Sequence, residues 1–221
     1  MDMKRTHAFI FDLDGTLVDS LFDITHALNH ALMKIGESTV RSRDVRSWIG
    51  DGLPTLCRRA VPKADKKTVR VLVREAVSHY TAHCAANTRP YPNVLQMLEL
   101  LRATHTAAAV LSNKPHDLTL RLVSELNMGK YFSDIRGCTS EEDKKPSPHS
   151  ALRFADALGV RPADVFLVGD SSVDIETARN ADMIAVAVTW GFTDRSALLA
   201  AGPDFLLDDP AEIPQLPRKK K

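Results

Sequence analysis

"FIFDLDGTLVDS", residues 9–20, begins with three consecutive apolar side chains and then carries Asp12 and Asp14 two positions apart, followed by Gly15 and Thr16. A short run that is apolar on both faces belongs inside a parallel sheet covered on both sides. In such open sheets, ligands bind beyond the carboxyl ends of the strands. The two aspartates are therefore read as the functional end of a buried strand. Gly15 lets the chain turn sharply there, and the Thr16 hydroxyl is free to donate to a ligand or to cap the next segment.

Working outward, similar apolar runs occur at 107–112, 165–169 and 184–189, with weaker ones at 135–138 and 204–207. Helix-period segments at 94–103, 118–126 and 149–158 separate them. Strands alternating with helices indicate an α/β fold with a doubly wound, Rossmann-like parallel sheet. Between about 21 and 87 no strand is evident. Amphipathic stretches at 23–35, 39–49, 53–61 and 65–85 indicate an inserted all-helical unit instead. The expected division is a core of residues 1–18 and 90–221 with a helical cap of 19–89, the return stiffened by Pro90 and Pro92.

The composition excludes several classes. A chain of 221 residues, 44% hydrophobic and 26% charged, is ordinary for a globular protein, and a net charge of +1 creates no field that would draw nucleic acid or an acidic membrane. The basic end, Arg218 to Lys221, reads as a solvated terminus. The three cysteines, Cys57, Cys84 and Cys138, encode neither a disulfide framework nor a zinc site. No apolar run approaches ~18 residues and no cleavable leader is visible, so a reduced, cytoplasmic location is expected, with no membrane or nucleic-acid partner.

The other strand ends carry chemistry too. The run at 107–112 ends in Ser112-Asn113-Lys114, the run at 165–169 in Asp170 with Asp174 four further on, and Lys145 sits in a loop fixed by Pro146 and Pro148. Crowded carboxylates repel one another unless a cation neutralises them, and hard oxygen donors without His or Cys suit Mg²⁺. A lysine, a hydroxyl and loop amides beside that metal make an anion pocket, a combination that favours phosphoryl transfer. Two aspartates at i and i+2 can then divide the labour, one attacking phosphorus and the other serving as acid and base.

Four segments, "DLDGTLVDS", "LSNKP", "KKPSP" and "VGDSSVDIETA", resemble in order and spacing the four motifs of the haloacid-dehalogenase-like phosphatases, and the resemblance spans nearly the whole chain. It implies Asp12 as nucleophile, Asp14 as general acid and base, Ser112 and Asn113 as phosphate ligands with Thr16 nearby, and Lys145 holding the nucleophile and phosphoryl charge. It also implies Mg²⁺ bound by Asp12, the Asp14 backbone carbonyl and Asp170, with Asp174 supporting that shell. The acid at position 14 points to phosphoester rather than dehalogenase chemistry. Val173, Asp182 and Ser150 depart from the family pattern, with a small stability cost expected at Asp182, where glycine usually ends the helix.

"WIGDGLPTLCRRAV", residues 48–61, resembles the cap loop and helix of the phosphoglycolate phosphatase family, as do "DGTLVDS", "SNKP" and "TWGF". The substrate so implied is 2-phosphoglycolate. Gly50 and Gly52 would bring backbone amides to its carboxylate, with Arg58 or Arg59 as charge partners; alternatively, the glycines make a plain turn and the arginines face solvent. A small phosphorylated metabolite is the expected partner, and the chain a monomer or homodimer. Remaining alternatives are a β-phosphoglucomutase-like sugar phosphomutase, a pyrophosphatase, and a non-catalytic phosphate-binding module. His26 with His30, and His79 with His83, stand at i, i+4 but lack the H-E-x-x-H glutamate, and read as exposed or half-buried helix histidines.

Overall fold

The computed structural model describes residues 7–217. Six parallel strands form the main sheet: β1 (Ala8–Phe11), β4 (Ala107–Pro115), β5 (Asp134–Cys138), β6 (Val165–Gly169), β7 (Ile184–Val188) and β8 (Phe205–Leu207), in the order β5-β4-β1-β6-β7-β8. Alternation along β1 supplies both faces of the core: Phe9 and Phe11 pack on one side, Ala8 and Ile10 on the other. Phe9 stacks on Phe166 of β6 at 5.0 Å. Each such buried ring contributes roughly 1.5–3 kcal/mol. The chain leaves β1 for β4 on one side and later returns to β6 on the other, so the C-terminal end of β1 is the topological switch point where a ligand crevice opens.

Helices α5 (Val94–Ala103), α6 (His116–Glu125), α7 (His149–Leu158), α8 (Ser172–Asn180) and α9 (Arg195–Ala201) cover the sheet. Asp182 follows α8 at φ 56°, the left-handed conformation expected of it, which short polar side chains tolerate better than bulky ones. Ser150 is buried and its hydroxyl donates to Asp143 at 3.0 Å, bracing the loop that presents Lys145.

Residues 21–83 contribute helices only: α1 (Leu21–Lys34), α2 (Ser42–Arg46), α3 (Leu53–Ala60) and α4 (Lys66–His83). At the ends of this segment β2 (Val18–Asp19) pairs antiparallel with β3 (Arg89–Pro90), a two-stranded ribbon the hydropathy pattern does not reveal because two residues carry no period. Asp23 locks the same junction. Burial works to raise its pKa, but hydrogen bonds from the Asn87 and Thr88 backbone and side chains, at 2.7–2.9 Å, hold it below the usual value. Helix α2 is shorter than its periodicity suggests. Asn29 clamps the Val40 backbone at 2.8 and 3.0 Å in the approach to α2, and the chain past α2 runs into Gly50 at φ 119°. No helix among the described residues is long and apolar enough to cross a membrane. The basic stretch 218–221 lies outside them.

Candidate active site

The three polar strand ends meet at the switch point. Asp12 follows β1 directly, its N–H donating to Val168 of β6 at 2.9 Å, so the backbone ladder itself aims the side chain across the crevice. Asp170 follows β6, and Asp174 stands in the first turn of α8. One oxygen from each of Asp12, Asp170 and Asp174 lies within 4.8 Å of the others, and all three residues are buried. Lys145 reaches in from its loop, its Nζ 2.8 Å from Asp12 Oδ1 and 2.6 Å from Asp174 Oδ1.

One lysine cannot balance three carboxylates. Burial pushes Asp12 up to about 6; Lys145 opposes that shift, while the charges of Asp174 and Asp14 add to it. Asp170 is pushed well above the ordinary carboxylate range by burial and by the charges of Asp12 and Asp174. Burial works against the charge on Lys145, but Asp12 and Asp174 outweigh it and raise its pKa. A buried excess of negative charge on hard oxygen atoms is the environment that a small divalent cation fits.

The oxygens are not equally available. Asp174 uses Oδ1 for Lys145, and Oδ2 for the Ser171 N–H at 3.1 Å and the Ser171 hydroxyl at 2.6 Å, so it orients the cluster. Asp170 Oδ2 accepts from the Phe192 N–H at 2.6 Å, and Thr16 Oγ1 lies 3.5 Å from Oδ1. The turn at Gly15, at φ 86°, passes so close that a Cβ there would run into the Asp170 carboxylate, which explains a glycine after Asp14 twice over.

Asp14 has partners of its own. The Ser20 hydroxyl donates to Oδ1 at 2.5 Å and Lys114 Nζ donates to Oδ2 at 2.5 Å. Lys114 is buried and its Nζ lies 4.6 Å from the centroid of the Tyr80 ring of α4. Burial opposes its charge, yet Asp14 and Tyr80 raise its pKa. In the sequence Lys114 stands only as part of a polar strand end; its pairing with Asp14, 100 positions away, has no local signature.

Ser112 is buried, and its Oγ accepts a 3.3 Å contact from the Lys114 N–H, which leaves the hydroxyl proton free to donate. Asn113 is committed at both ends of its amide. Its Nδ2 donates to the carbonyls of Gly50 (3.0 Å) and Lys145 (3.1 Å), and its Oδ1 accepts from the Lys145 N–H at 2.7 Å. Its side chain therefore ties the Lys145 loop to the segment between α2 and α3.

Over these groups lies a cavity of about 70 Å³, whose walls include Asp12, Asp14, Ser112 and Lys114 below and Ile24, Leu53 and Tyr80 above. Gly50 and Gly52 also line it, with φ of 119° and 84°. Arg59 does not: it pairs with Asp51 at 2.5 Å and donates to the Trp48 carbonyl at 3.0 Å, while Arg58 donates to the Ala64 carbonyl at 2.6 Å. Two further links were not foreseen. Arg46 of α2 donates to the carbonyls of Gly191 and, at 2.9 Å, Phe192, and Trp190 Nε1 donates to the Thr16 carbonyl at 2.9 Å.

Residues 9–188 match the family described as haloacid dehalogenase-like hydrolase. A phosphoglycolate phosphatase of Chromobacterium violaceum is 35% identical over 218 residues, covering 96% of this chain and 97% of that protein. One of Neisseria meningitidis is 34% identical, covering 96% and 93%. A crystal structure described as a predicted phosphoglycolate phosphatase from Haemophilus somnus superimposes with a TM-score of 0.90 at 30% identity, covering 96% of this chain and 98% of that one.

Proposed function

The chain belongs to the haloacid dehalogenase-like hydrolases and is a phosphoric monoester hydrolase, and from that premise we propose that it releases phosphate from a small metabolite, 2-phosphoglycolate, by way of an aspartyl-phosphate on Asp12. The observation that carries this reading is the separate grip on the two aspartates: Lys145 on Asp12, Lys114 and Ser20 on Asp14. Two carboxylates two residues apart are thus held by different partners, as different roles require.

In the proposed sequence the Asp12 carboxylate, oriented by Lys145, forms a bond to phosphorus as the ester P–O bond breaks. Asp14 gives its proton to the departing alkoxide. Asp14 then takes a proton from the water that attacks the aspartyl-phosphate, and Asp12 is restored as inorganic phosphate leaves. The Ser112 hydroxyl, the Thr16 hydroxyl and the backbone amide of Asn113 are the phosphoryl donors. The oxygens of Asp12 and Asp170, with the Asp14 carbonyl, would hold Mg²⁺, with Asp174 orienting them, and the ion would neutralise charge developing on the phosphoryl oxygens. We read residues 19–89 as a cap over a core of 1–18 and 90–221; its Ile24 and Leu53 keep water from the reacting phosphorus. The substrate's own carboxylate falls to the backbone of the loop at Gly50 and Gly52, because Arg58 and Arg59 are engaged elsewhere.

A kinetic panel tests this. Phosphoglycolate should give the highest kcat/KM among phosphoglycolate, hexose phosphates, nucleotides, pyrophosphate and phosphonoacetaldehyde, with stoichiometric inorganic phosphate. Isomerised hexose phosphate without free phosphate would instead mark a mutase.

The raised carboxylates set a pH dependence for the metal. With folded pKa values above the unfolded ones, Asp12 and Asp170 stabilise the metal-free fold while protonated; for Asp12 that contribution is lost as pH rises from the ordinary carboxylate range through about 6, and Asp170 loses its own in the same direction. Mg²⁺ competes with those protons. The rise in Tm on adding Mg²⁺ should therefore be larger at pH 7.5 than at pH 5; equal increments at both would contradict a metal seated on these carboxylates.

A further inference from the structure

The two histidine pairs, distant in sequence, face each other in space. Helix α1 packs along α4, and the ring of His79 lies 5.0 Å from that of His26, 4.2 Å from that of His30 and 4.4 Å from that of His83, centroid to centroid. Two i, i+4 pairs on neighbouring helices thus converge around one central ring. None of the four lines the catalytic cavity. Nothing in the phosphatase chemistry uses them.

We propose that His26, His30, His79 and His83 form a second metal site, selective for a borderline dication such as Zn²⁺ or Cu²⁺, bridging α1 and α4. Two imidazoles bound to one tetrahedral ion at about 2.0–2.1 Å per Zn–N bond have centroids roughly 5 Å apart, which the 5.0 Å between His26 and His79 matches and from which the 4.2 and 4.4 Å of His79 to His30 and His83 differ by under an ångström. Ring orientation supports ligation as well. His83 Nδ1 stands 2.9 Å from the His79 carbonyl, which makes it the N–H donor and leaves the Nε2 lone pair outward, the arrangement in which a backbone carbonyl fixes the tautomer of a ligating histidine. The His79 Nδ1 is buried and makes no hydrogen bond. Burial and the adjoining imidazoles lower the His79 pKa, which favours the neutral, ligating ring. As folded here the rings are edge-on, tilted and stacked, with no three of their nitrogens within 4.8 Å of one another, so binding requires rotation about their side-chain torsions to gather them. Imidazole donors suit Zn²⁺, Cu²⁺ and Ni²⁺, whereas the carboxylates at the sheet edge suit Mg²⁺, so the two sites differ in the ion they select.

The test is titration of Zn²⁺ and Cu²⁺ into the full-length, untagged protein at pH 7.5 with excess Mg²⁺, by calorimetry and by electron paramagnetic resonance. One equivalent should bind, with nitrogen superhyperfine splitting from at least two imidazoles on Cu²⁺. His30→Asn on α1 and His83→Gln on α4 should each weaken binding at least tenfold, leave the metal-free Tm within 2–3 °C, about a kcal/mol for a chain of this size, and abolish the Zn²⁺-induced rise in Tm. Absence of nitrogen coupling overturns the proposal. So does undiminished affinity in His30→Asn, which would mean that the α4 pair acts alone.

Discussion

Asn at position 12 should reduce phosphate release by a factor on the order of 10⁴ or more while leaving the metal-free protein as stable as the parent or more so. On the proposed mechanism the loss follows from removing the nucleophile, whose deletion in covalent catalysis removes nearly the whole contribution of the catalytic group. The gain in stability follows from the environment. Asp12 is buried beside Asp170 and Asp174 with one lysine among them, and its pKa, raised to about 6, means that it stays ionised at neutral pH but that holding this charge costs stability relative to the unfolded chain. A neutral isostere relieves that crowding at the cost of weakening one contact to Lys145. Rapid-quench phosphate assays and thermal melts without divalent ions check the two halves separately. A variant that retains a tenth of the parental kcat would remove Asp12 from the chemistry, and one that melts well below the parent would show the charge to be net favourable. Asp14→Asn should cost less, about 10²–10⁴-fold in kcat, the range expected of a lost general acid.

The second large effect concerns stability. Lys145 is buried, and its Nζ is the ammonium shared by Asp12 and Asp174. Replacing it with Met leaves a buried anionic cluster without its cation, a change that typically costs about 3–5 kcal/mol. For a chain of this size that corresponds to a Tm lowered by roughly 6–20 °C. Excess Mg²⁺ should recover part of the loss, because the ion supplies the charge the lysine withdrew. Adding Asp174→Asn to Lys145→Met should also recover part, since it removes one of the stranded anions; a strictly additive double variant would mean that the two side chains do not act as a pair. Melting curves of the four proteins, with and without Mg²⁺, decide it.

The reach of the sequence follows physical lines. Strands buried on both faces announce themselves as short apolar runs, and their carboxyl ends announce the crevice, which is why the sequence alone puts Asp12, Ser112 and Asp170 on one edge. Lys145 was legible for a local reason, the prolines that fix its loop. Partnerships across the chain were not. Lys114 on Asp14, Arg46 on Phe192 and Asn113 on Gly50 link residues 63 to 146 positions apart, and no local pattern encodes which loop end meets which. The histidine pairs show the same limit: each has helical spacing, but only the packing of α1 on α4 makes four rings neighbours. The short ribbon of β2 and β3 was hidden because two residues carry no periodicity. Arg59 was a reasonable candidate by charge, and its ion pair with Asp51 depends on a turn that the sequence does not specify.

Arg46 has a consequence beyond holding two chain segments together. It grips the carbonyls of Gly191 and Phe192, and the Phe192 amide in turn grips Asp170. On the proposed reading, the position of α2 and the readiness of Asp170 for its ion share one short lever. By thermodynamic reciprocity, a substrate that draws α2 inward tightens the hold on the ion by the same factor as the ion tightens the hold on the substrate. Departure of the product would then loosen the hold of α2 and the seat of the ion together.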